Sequence, residues 1–291
     1  AASWEIPIHP WHHFLRFHGG WADISTDSRS AGEVVDADGT SWGIGAAYGM
    51  QLPRWMGMRH ELSIGGEFKY SDNFLVFGGQ TLPGSQVEIV QFRFDYRATR
   101  ELSTGALELQ AALVGSPGGL TDDNRDKAFR EFRVNADATY LYGRVGVTWL
   151  RQLPGRWALR LAARGQLASG ALLPTEQFAL GGHNSVRGYE EREYLADHGY
   201  ALSGELRTSP LEVALPGRLP AASVQFLAFL DQGVGWRDKG FEGEDSRESF
   251  LGTGLGVRAS LGSYATLRAD LGVPLDEDGG ARAHVGMTIS Y

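Results

Sequence analysis

The feature that most constrains the fold is an alternation of apolar and polar side chains with a period of two residues. In residues 87–98, one set of alternate positions holds Val90, Phe92, Phe94 and Tyr96, and the other holds Gln91, Arg93, Asp95 and Arg97. Successive side chains of a β-strand point to opposite faces of the sheet. The pattern therefore predicts strands with one apolar face and one charged or small face.

The alternation recurs to the C-terminus in twelve segments, which are residues 14–23, 42–52, 59–70, 87–98, 104–114, 137–151, 157–168, 198–208, 222–235, 250–262, 264–273 and 281–291. The sequence has no run of about 18 apolar residues and so offers no candidate for a membrane-spanning helix. A membrane β-barrel needs only strands of roughly 10 residues. The predicted fold is an all-β, single-domain, transmembrane antiparallel up-and-down barrel of about 12 strands.

The connections between these strands alternate between short and long. The short ones are residues 53–58, 99–103, 152–156, 210–220 and 262–263, and the long polar ones are residues 23–40, 72–85, 115–136, 169–197 and 237–249. Outer-membrane barrels have short periplasmic turns and long extracellular loops. The order therefore predicts a bacterial outer-membrane protein with both termini in the periplasm. Residues 1–11 are expected to be a periplasmic stub, because their prolines discourage a full strand.

The positions of the aromatic residues also favour a membrane setting. Tryptophan and tyrosine favour the headgroup zone of a bilayer, and aromatics occur near predicted strand ends at Trp11, Trp21, Trp42, Trp55, Trp149, Trp157, Trp236 and Tyr291. The net charge of −8 argues against a nucleic-acid partner. Outer-membrane lipid and lipopolysaccharide are the expected surroundings. The chain has no cysteine, hence no thiolate metal site, and no metal or cofactor is expected.

One glycine-rich segment, Gly181-Gly182-His183-Asn184-Ser185-Val186-Arg187-Gly188-Tyr189, interrupts the alternation. No helix or strand pattern fits it. Together with the preceding residues 176–180, this segment resembles a signature of the BamA/TpsB superfamily, whose members assemble proteins into, or secrete them across, bacterial outer membranes. Residues 199–210 and the sequence Phe229-Leu230-Asp231-Gln232-Gly233 resemble strands of the two-partner secretion transporters, the haemolysin secretion/activation branch. The resemblance is specific in the C-terminal half and only general in the N-terminal half.

The resemblance implies that the loop of residues 169–197 folds from the extracellular side into the lumen, where Arg187 meets Asp231 as a lumen latch. The other motif residues that it implies are Gly181, Gly182, Val186, Gly188, Tyr189, Phe229 and Gly233. The alternation agrees with this arrangement. If Phe226, Ala228, Leu230 and Val234 face lipid, then Phe229, Asp231 and Gly233 point inward.

The chain departs from the family pattern in two ways. Family barrels have sixteen strands and periplasmic POTRA domains that bind client chains, whereas seven predicted strands precede the arginine loop here and five follow it. The chain is therefore either a fragment or a reduced barrel that lacks POTRA domains and closes with twelve strands. The even count favours the reduced barrel. Residues 4–10 resemble the end of a preceding strand, which favours a fragment.

Three functions remain open at this point. The first is a barrel that translocates or inserts polypeptide across or into the outer membrane. The second is a reduced barrel, in one form a homodimer, that binds or perturbs outer-membrane lipid. The third is an enzyme carried by a barrel. It is disfavoured because no catalytic set of side chains converges, and the nucleophile-elbow pattern of residues 39–43 leads into a strand instead of a helix.

Overall fold

The computed structural model describes residues 2–9, 12–30, 33–77, 80–214, 221–238, 246–276 and 279–290, and the side chains of these residues outside 23–39 and 73–85. Trp11, Tyr291 and parts of the predicted connections 23–40, 72–85, 210–220 and 237–249 lie outside the described residues. Within them, no helix is long and apolar enough to span a membrane.

The elements in chain order are β1 (Ala2–Ile8), β2 (His13–Ser30), β3 (Glu33–Trp55), β4 (Met58–Phe77), β5 (Gln80–Leu102), β6 (Gly105–Pro117), α1 (Asp126–Phe132), β7 (Thr139–Leu153), β8 (Trp157–Ala168), β9 (Phe178–Leu180), β10 (Tyr194–Ala196), β11 (His198–Thr208), β12 (Leu211–Val213), β13 (Ala222–Trp236), β14 (Arg247–Leu261), β15 (Ala265–Pro274) and β16 (Arg282–Ile289). Each of the twelve predicted strands is present, as β2–β8, β11 and β13–β16. The all-β prediction is confirmed.

These strands form one antiparallel sheet in chain order, from β1 through β8 to β11 and then β13 through β16. The short strand β12 pairs with β13, and β9 pairs with β10 in a separate two-stranded sheet. Among the described residues β1 and β16 are the two edges of the large sheet and are not paired with each other. The up-and-down order matches the predicted meander of an outer-membrane barrel.

The N-terminal residues depart from the expected stub. Ala2–Ile8 pairs antiparallel with β2, from Ala2 opposite Gly19 to Ile8 opposite His13. Pro7 is tolerated because β1 pairs on one side only, and an edge strand can leave the other side without a donor. One strand is thereby added to the twelve that the alternation predicted.

Two of the predicted long loops are also corrected. Strands β2 and β3 stay paired as far as Ser30 opposite Glu33, and β4 and β5 as far as Phe77 opposite Gln80. Backbone pairing continues after the apolar alternation ends, because the hydrogen bonds between two strands join backbone groups and do not require an apolar face. Trp21 and Trp42 consequently pair in the middle of their strands, not near strand ends.

The two faces of the sheet differ as the alternation predicted. Large apolar side chains are exposed on the outer face, among them Ile44, Ile64, Phe92, Phe94, Val145, Leu202, Phe226, Leu230, Leu255, Leu271 and Val285. An exposed apolar band of this extent is typical of a lipid-facing barrel wall. Ala228 is exposed as expected, whereas Val234, which was expected to face lipid, is buried opposite Tyr200 of β11.

The sheet curves around the loop between β8 and β11. Glu176 in this loop accepts a hydrogen bond from Lys69 of β4 at 2.8 Å. The carbonyl of Gly188 in the same loop accepts one from Arg282 of β16, also at 2.8 Å. A flat sheet could not bring β4 and β16 to one loop. The space enclosed by the inner faces of the strands is called the lumen below.

Candidate functional site

The centre of the loop is the hairpin of β9 and β10, which pairs Phe178 with Ala196 and Leu180 with Tyr194. The glycine-rich segment follows β9 directly. Its Val186 is fully buried and belongs to an apolar cluster with Leu180 and Phe250 of β14. The segment that fits no regular pattern in the sequence therefore packs against the inner wall of the sheet.

Two glycines of the motif permit this close packing. Gly188 has a φ of +103°, and a Cβ there would lie 2.8 Å from the carbonyl carbon of Val273. A Cβ on Gly233 of β13 would lie 2.7 Å from Leu180 and 2.8 Å from Val186. Any larger residue at either position would push the loop off the wall. Gly181 and Gly182 also have positive φ values.

Arg187 and Asp231 form a forked ion pair. The Nε of Arg187 lies 2.6 Å from Oδ2 of Asp231, and its Nη2 lies 2.8 Å from Oδ1. The backbone amide of Arg187 also donates to Oδ2, at 3.2 Å. The guanidinium lies over the ring of Phe229, with its central carbon 3.6 Å from the ring centroid. The structure thus brings together the arginine, aspartate and phenylalanine of the motif, in a geometry that only a planar guanidinium satisfies.

The structure adds two carboxylates that the sequence reasoning did not assign to this site. Nη1 of Arg187 lies 2.9 Å from Glu205 of β11 and 3.4 Å from Asp270 of β15. Ser203 accepts a further bond from Nη2 at 3.2 Å. The alternation places Ser203 and Glu205 on the inner face, but it carries no information on which inward residues meet across the lumen.

Further arginines balance these carboxylates. Asp270 accepts from Arg258 at 2.9 Å and from Arg268 at 2.7 Å, and Glu205 accepts from Arg207. Burial alone would lower the pKa of Arg187, but the hydrogen bond to Asp231 and the charges of the three carboxylates raise it above its ordinary value. Arg187 is 2% exposed and stays charged. Every charge in this cluster has a partner, which is the condition for burying charges at tolerable cost.

A second anchor holds the start of the loop to the opposite wall. The carboxylate of Glu176 binds Lys69 of β4 at 2.8 Å and the hydroxyl of Tyr142 of β7 at 2.7 Å. Its carbonyl accepts from Arg144 at 2.8 Å and from Gln166 at 3.2 Å. Burial would raise the pKa of the Glu176 carboxyl, but the charge and hydrogen bond of Lys69, the hydrogen bond of Tyr142 and the charge of Arg144 hold it below its ordinary value. The loop is thus tied to the wall on both sides of the lumen.

A third anchor is Asp197, which no pattern in the sequence singled out. Its fully buried carboxylate accepts two bonds from Arg133, at 2.5 and 2.8 Å. It also accepts from the amides of Leu172 and Asp238, each at 2.8 Å. Despite burial, Arg133 and these amides keep the pKa of Asp197 below its ordinary value. Asp197 therefore joins the segment after α1, the lumen loop and the connection after β13.

Tyr189 ends the motif and fixes the loop to β14 and to the connection after β15. Its hydroxyl donates to the carbonyl of Leu251 at 3.1 Å and to Asp276. Its ring meets that of Phe250 edge to face, with centroids 4.7 Å apart. A buried tyrosine needs such a partner for its hydroxyl. The motif tyrosine therefore anchors the end of the glycine-rich segment to the inner wall.

The acidic run that follows the motif has local partners. Glu191 accepts from the backbone amide of His183 at 2.6 Å and lies 2.7 Å from its Nδ1, and Glu193 accepts from the amide of Glu190. Within the described residues, this run is not paired with the inward arginines Arg144, Arg160 and Arg164.

Comparison with known proteins finds a matching family model and similar solved structures. A family model described as haemolysin secretion/activation protein ShlB/FhaC/HecB matches residues 1–259. A search of the curated proteins finds no match. Among solved structures, CdiB from Escherichia coli superposes with a TM-score of 0.72 at 19% sequence identity, over 95% of this chain and 49% of CdiB.

Two further solved structures are similar. CdiB from Acinetobacter baumannii has a TM-score of 0.67 at 19% identity, over 99% of this chain and 49% of that protein. BamA from Haemophilus ducreyi lacking POTRA domains 1–3 has a TM-score of 0.57 at 12% identity, over 98% of this chain and 60% of that one. The chain spans about half the length of each CdiB structure. At these identities the likeness shows the shared barrel fold.

Proposed function

Because this chain belongs to the haemolysin secretion/activation protein ShlB/FhaC/HecB family, as its loop motif predicted, we propose that it serves in a bacterial outer-membrane barrel that moves polypeptide across or into the membrane through its lumen. In this proposal a client chain passes beside the lumen loop, and Arg187 and Asp231 form the latch that holds this loop in place.

The observation that carries the proposal is the way in which the loop occupies the lumen. It is held by ion pairs and hydrogen bonds at Arg187, Glu176 and Asp197, not by a place in the wall of the sheet. Such contacts can be exchanged for water or for another charged chain, whereas removal of a wall strand would expose a row of backbone donors to lipid. The loop is therefore the part of the structure that can move aside for a passing polypeptide.

Two adjoining cavities beside the loop support the proposal. One has a volume of about 590 Å³ and the other about 320 Å³, and Gln110, Gly146 and Arg164 line both. The larger extends from β2 to β8, and the smaller runs below residues 183–187. Their walls are rich in charged groups, which is typical of a wet barrel interior. A polypeptide in transit would meet exchangeable polar contacts here.

We place the short connections of the barrel in the periplasm. The turns 55–58, 102–105, 153–157 and 261–265 each join strands with few intervening residues. The helix α1 and the lumen loop belong to the connections at the other strand ends. Under this proposal the loop enters the lumen from the extracellular side, as the family resemblance implies.

The proposal is tested by photo-crosslinking in cells that secrete the client. A photoreactive amino acid replaces Gln110, which lines both cavities, and in a matched variant it replaces Leu113 of the same strand, which is 49% exposed on the outer face. The expected result is an adduct with an exported polypeptide at position 110 and lipid adducts alone at position 113.

The comparison of the two positions decides between the candidate functions. Polypeptide adducts at 110 that disappear when export is halted would support passage through the lumen. Adducts with lipid alone at both positions would refute the proposal and favour a barrel that acts on lipid. Equal polypeptide labelling at both positions would point to client contact with the outside of the barrel, and would also count against lumenal passage.

A further inference from the structure

The carboxylates that line the two cavities all have a cationic partner. The pairs are Glu61 with Arg16 at 3.6 Å, Glu67 with Lys69 at 3.3 Å, Asp95 with Arg93 at 2.7 Å, Glu108 with Arg97 at 3.7 Å and Glu205 with Arg187 at 2.9 Å. Negative charge on these walls is thus already compensated within the protein. An arginine of these walls that has no carboxylate in contact with it contributes uncompensated positive charge to the passage.

Three inward arginines of β7 and β8, which we call the arginine row, are in this position: Arg144, Arg160 and Arg164. Arg144 donates to the side chain of Gln166 and the carbonyl of Glu176, and Arg164 donates to the carbonyl of Ala179. Within the described residues, none of the three has a carboxylate within 4.0 Å. The hydrogen bonds of Arg144 and Arg164 are with neutral groups, and both arginines keep guanidinium donors free for a ligand.

The charges around the row favour an incoming anion. Arg160 lies opposite Glu205 in the pairing of β8 with β11, but Glu205 is already bound by Arg187 and Arg207. All three arginines are only partly exposed to solvent. A guanidinium that has lost part of its hydration and has no carboxylate in contact with it gains more from an added carboxylate than a fully solvated one does.

The spacing of the row matches an extended chain. Arg160 and Arg164 are four residues apart on one strand, which is about 13 Å. Arg144 pairs opposite Gln166, two residues further along β8, which adds about 7 Å. An extended polypeptide has the same rise per residue, and its residues i, i+4 and i+6 face the same side. One phosphate group could not reach guanidiniums spread over about 20 Å.

We propose that the arginine row binds an extended acidic segment of the transported polypeptide, with carboxylates at positions i, i+4 and i+6. This rests on the proposed function and names the substrate class that the same lumen accepts. Each carboxylate exchanges hydration for the positive charge of an arginine, and the row lies on the wall that faces the loop. The segment is thereby aligned with β8 while it passes the loop.

The test measures the binding of a fluorescent peptide to the purified protein in detergent micelles by anisotropy. The peptide is a Ser/Thr-rich chain with glutamates at i, i+4 and i+6, and the control peptide has glutamines at these positions. We expect the acidic peptide to bind the wild type about tenfold more tightly than the control. The double variant Arg160→Gln/Arg164→Gln is expected to lose most of this difference.

The chain offers a matched control for these substitutions. Arg93 and Arg97 are also four residues apart on an inner strand and line the larger cavity, but both are paired with carboxylates. The variant Arg93→Gln/Arg97→Gln removes the same charge and is expected to change the affinity by less than about threefold. The variant Arg160→Lys/Arg164→Lys keeps both charges and is expected to bind within about threefold of the wild type, which separates lost binding from lost folding.

Three results would overturn the inference. They are equal affinity for the two peptides, equal weakening by the Arg93/Arg97 variant, and displacement of the acidic peptide by an equal concentration of inorganic phosphate, which would make a phosphate group the ligand. The crosslinking at Gln110 keeps this outcome separate from failure of the proposed function. Polypeptide adducts at Gln110 without acidic preference would remove only the present inference. Acidic preference without adducts would show that the row binds acidic peptide, but would remove lumenal passage and with it the assignment of that peptide to a transported chain.

Discussion

Replacement of Asp231 by alanine is the most direct perturbation of the lumen latch. The substitution removes both oxygens that the guanidinium of Arg187 grips at 2.6 and 2.8 Å, and one acceptor of its backbone amide. It leaves Glu205 at 2.9 Å and Asp270 at 3.4 Å, so Arg187 does not become an unpaired buried charge. The loop should therefore loosen while the barrel wall stays folded.

The expected magnitude follows from these contacts. Breaking a buried ion pair costs about 3–5 kcal/mol when the remaining charge has no other partner. Because two carboxylates remain, about 3 kcal/mol is the appropriate estimate for the weakened seat of the loop. One factor of ten corresponds to about 1.4 kcal/mol, so the population with the loop released should rise about 100-fold.

Hydrogen exchange followed by mass spectrometry measures this population. Peptides that cover residues 181–193 should exchange about 100-fold faster in Asp231→Ala than in the wild type, and proteases should cut there sooner. Peptides from β6 should exchange at the wild-type rate. The control is Asp95→Ala, which removes a carboxylate whose two oxygens share the Nε–H of Arg93, on the inner wall and outside the loop. Exchange at 181–193 within about threefold of the wild type in Asp231→Ala would refute the proposed latch.

Two further predictions concern the loop and the orientation of the barrel. Gly188→Ala should release the loop and increase its hydrogen exchange, because a Cβ there would lie 2.8 Å from the carbonyl carbon of Val273. The control Gly119→Ala also has a positive φ, +69°, but a Cβ there would have nothing within 4 Å, so the loop should stay protected. Equal effects of the two substitutions would show that backbone strain alone is responsible. Since the chain lacks cysteine, Asp122→Cys and Glu101→Cys are single labelling sites with side chains 98% and 76% exposed. A membrane-impermeant maleimide should label position 122 in intact cells and position 101 only after lysis, and the reverse result would invert the proposed orientation.

Under the proposed function the loop has to move, and the buried charges around Arg187 suit such a loop. An apolar seat would be non-directional and would let the loop slide, whereas the fork of Arg187 on Asp231 has one geometry. The aromatic ring of Phe229 below the guanidinium restricts it further. The seat is therefore specific in position and open to exchange with other charged groups.

The sequence by itself determined the strands, the two faces of the wall and the family. Period-two alternation is a local property, so it located twelve strands and identified Asp231 as an inward residue without knowledge of any partner. For residues 1–11 it left open a periplasmic stub and the end of a preceding strand, because Pro7 interrupts the alternation of β1, and it missed the continuation of β2–β5 beyond their apolar segments. Pairing at those places depends on the neighbouring strand.

Only the tertiary structure decided which inward residues meet. Arg187 reaches Asp270 across 83 positions of the chain, and Glu205 across 18, because the sheet curves until β11, β13 and β15 face the same loop. In the same way, Asp197 accepts hydrogen bonds from Arg133 and from the amide of Asp238, which lie in separate connections. Alternation assigns each side chain to a face of the sheet. The partner of that side chain depends on the curvature and the register of the sheet, and both are properties of the whole sheet. The sequence therefore contains the arginine of the latch and its first aspartate, and the fold supplies the remaining partners that hold the loop in the lumen.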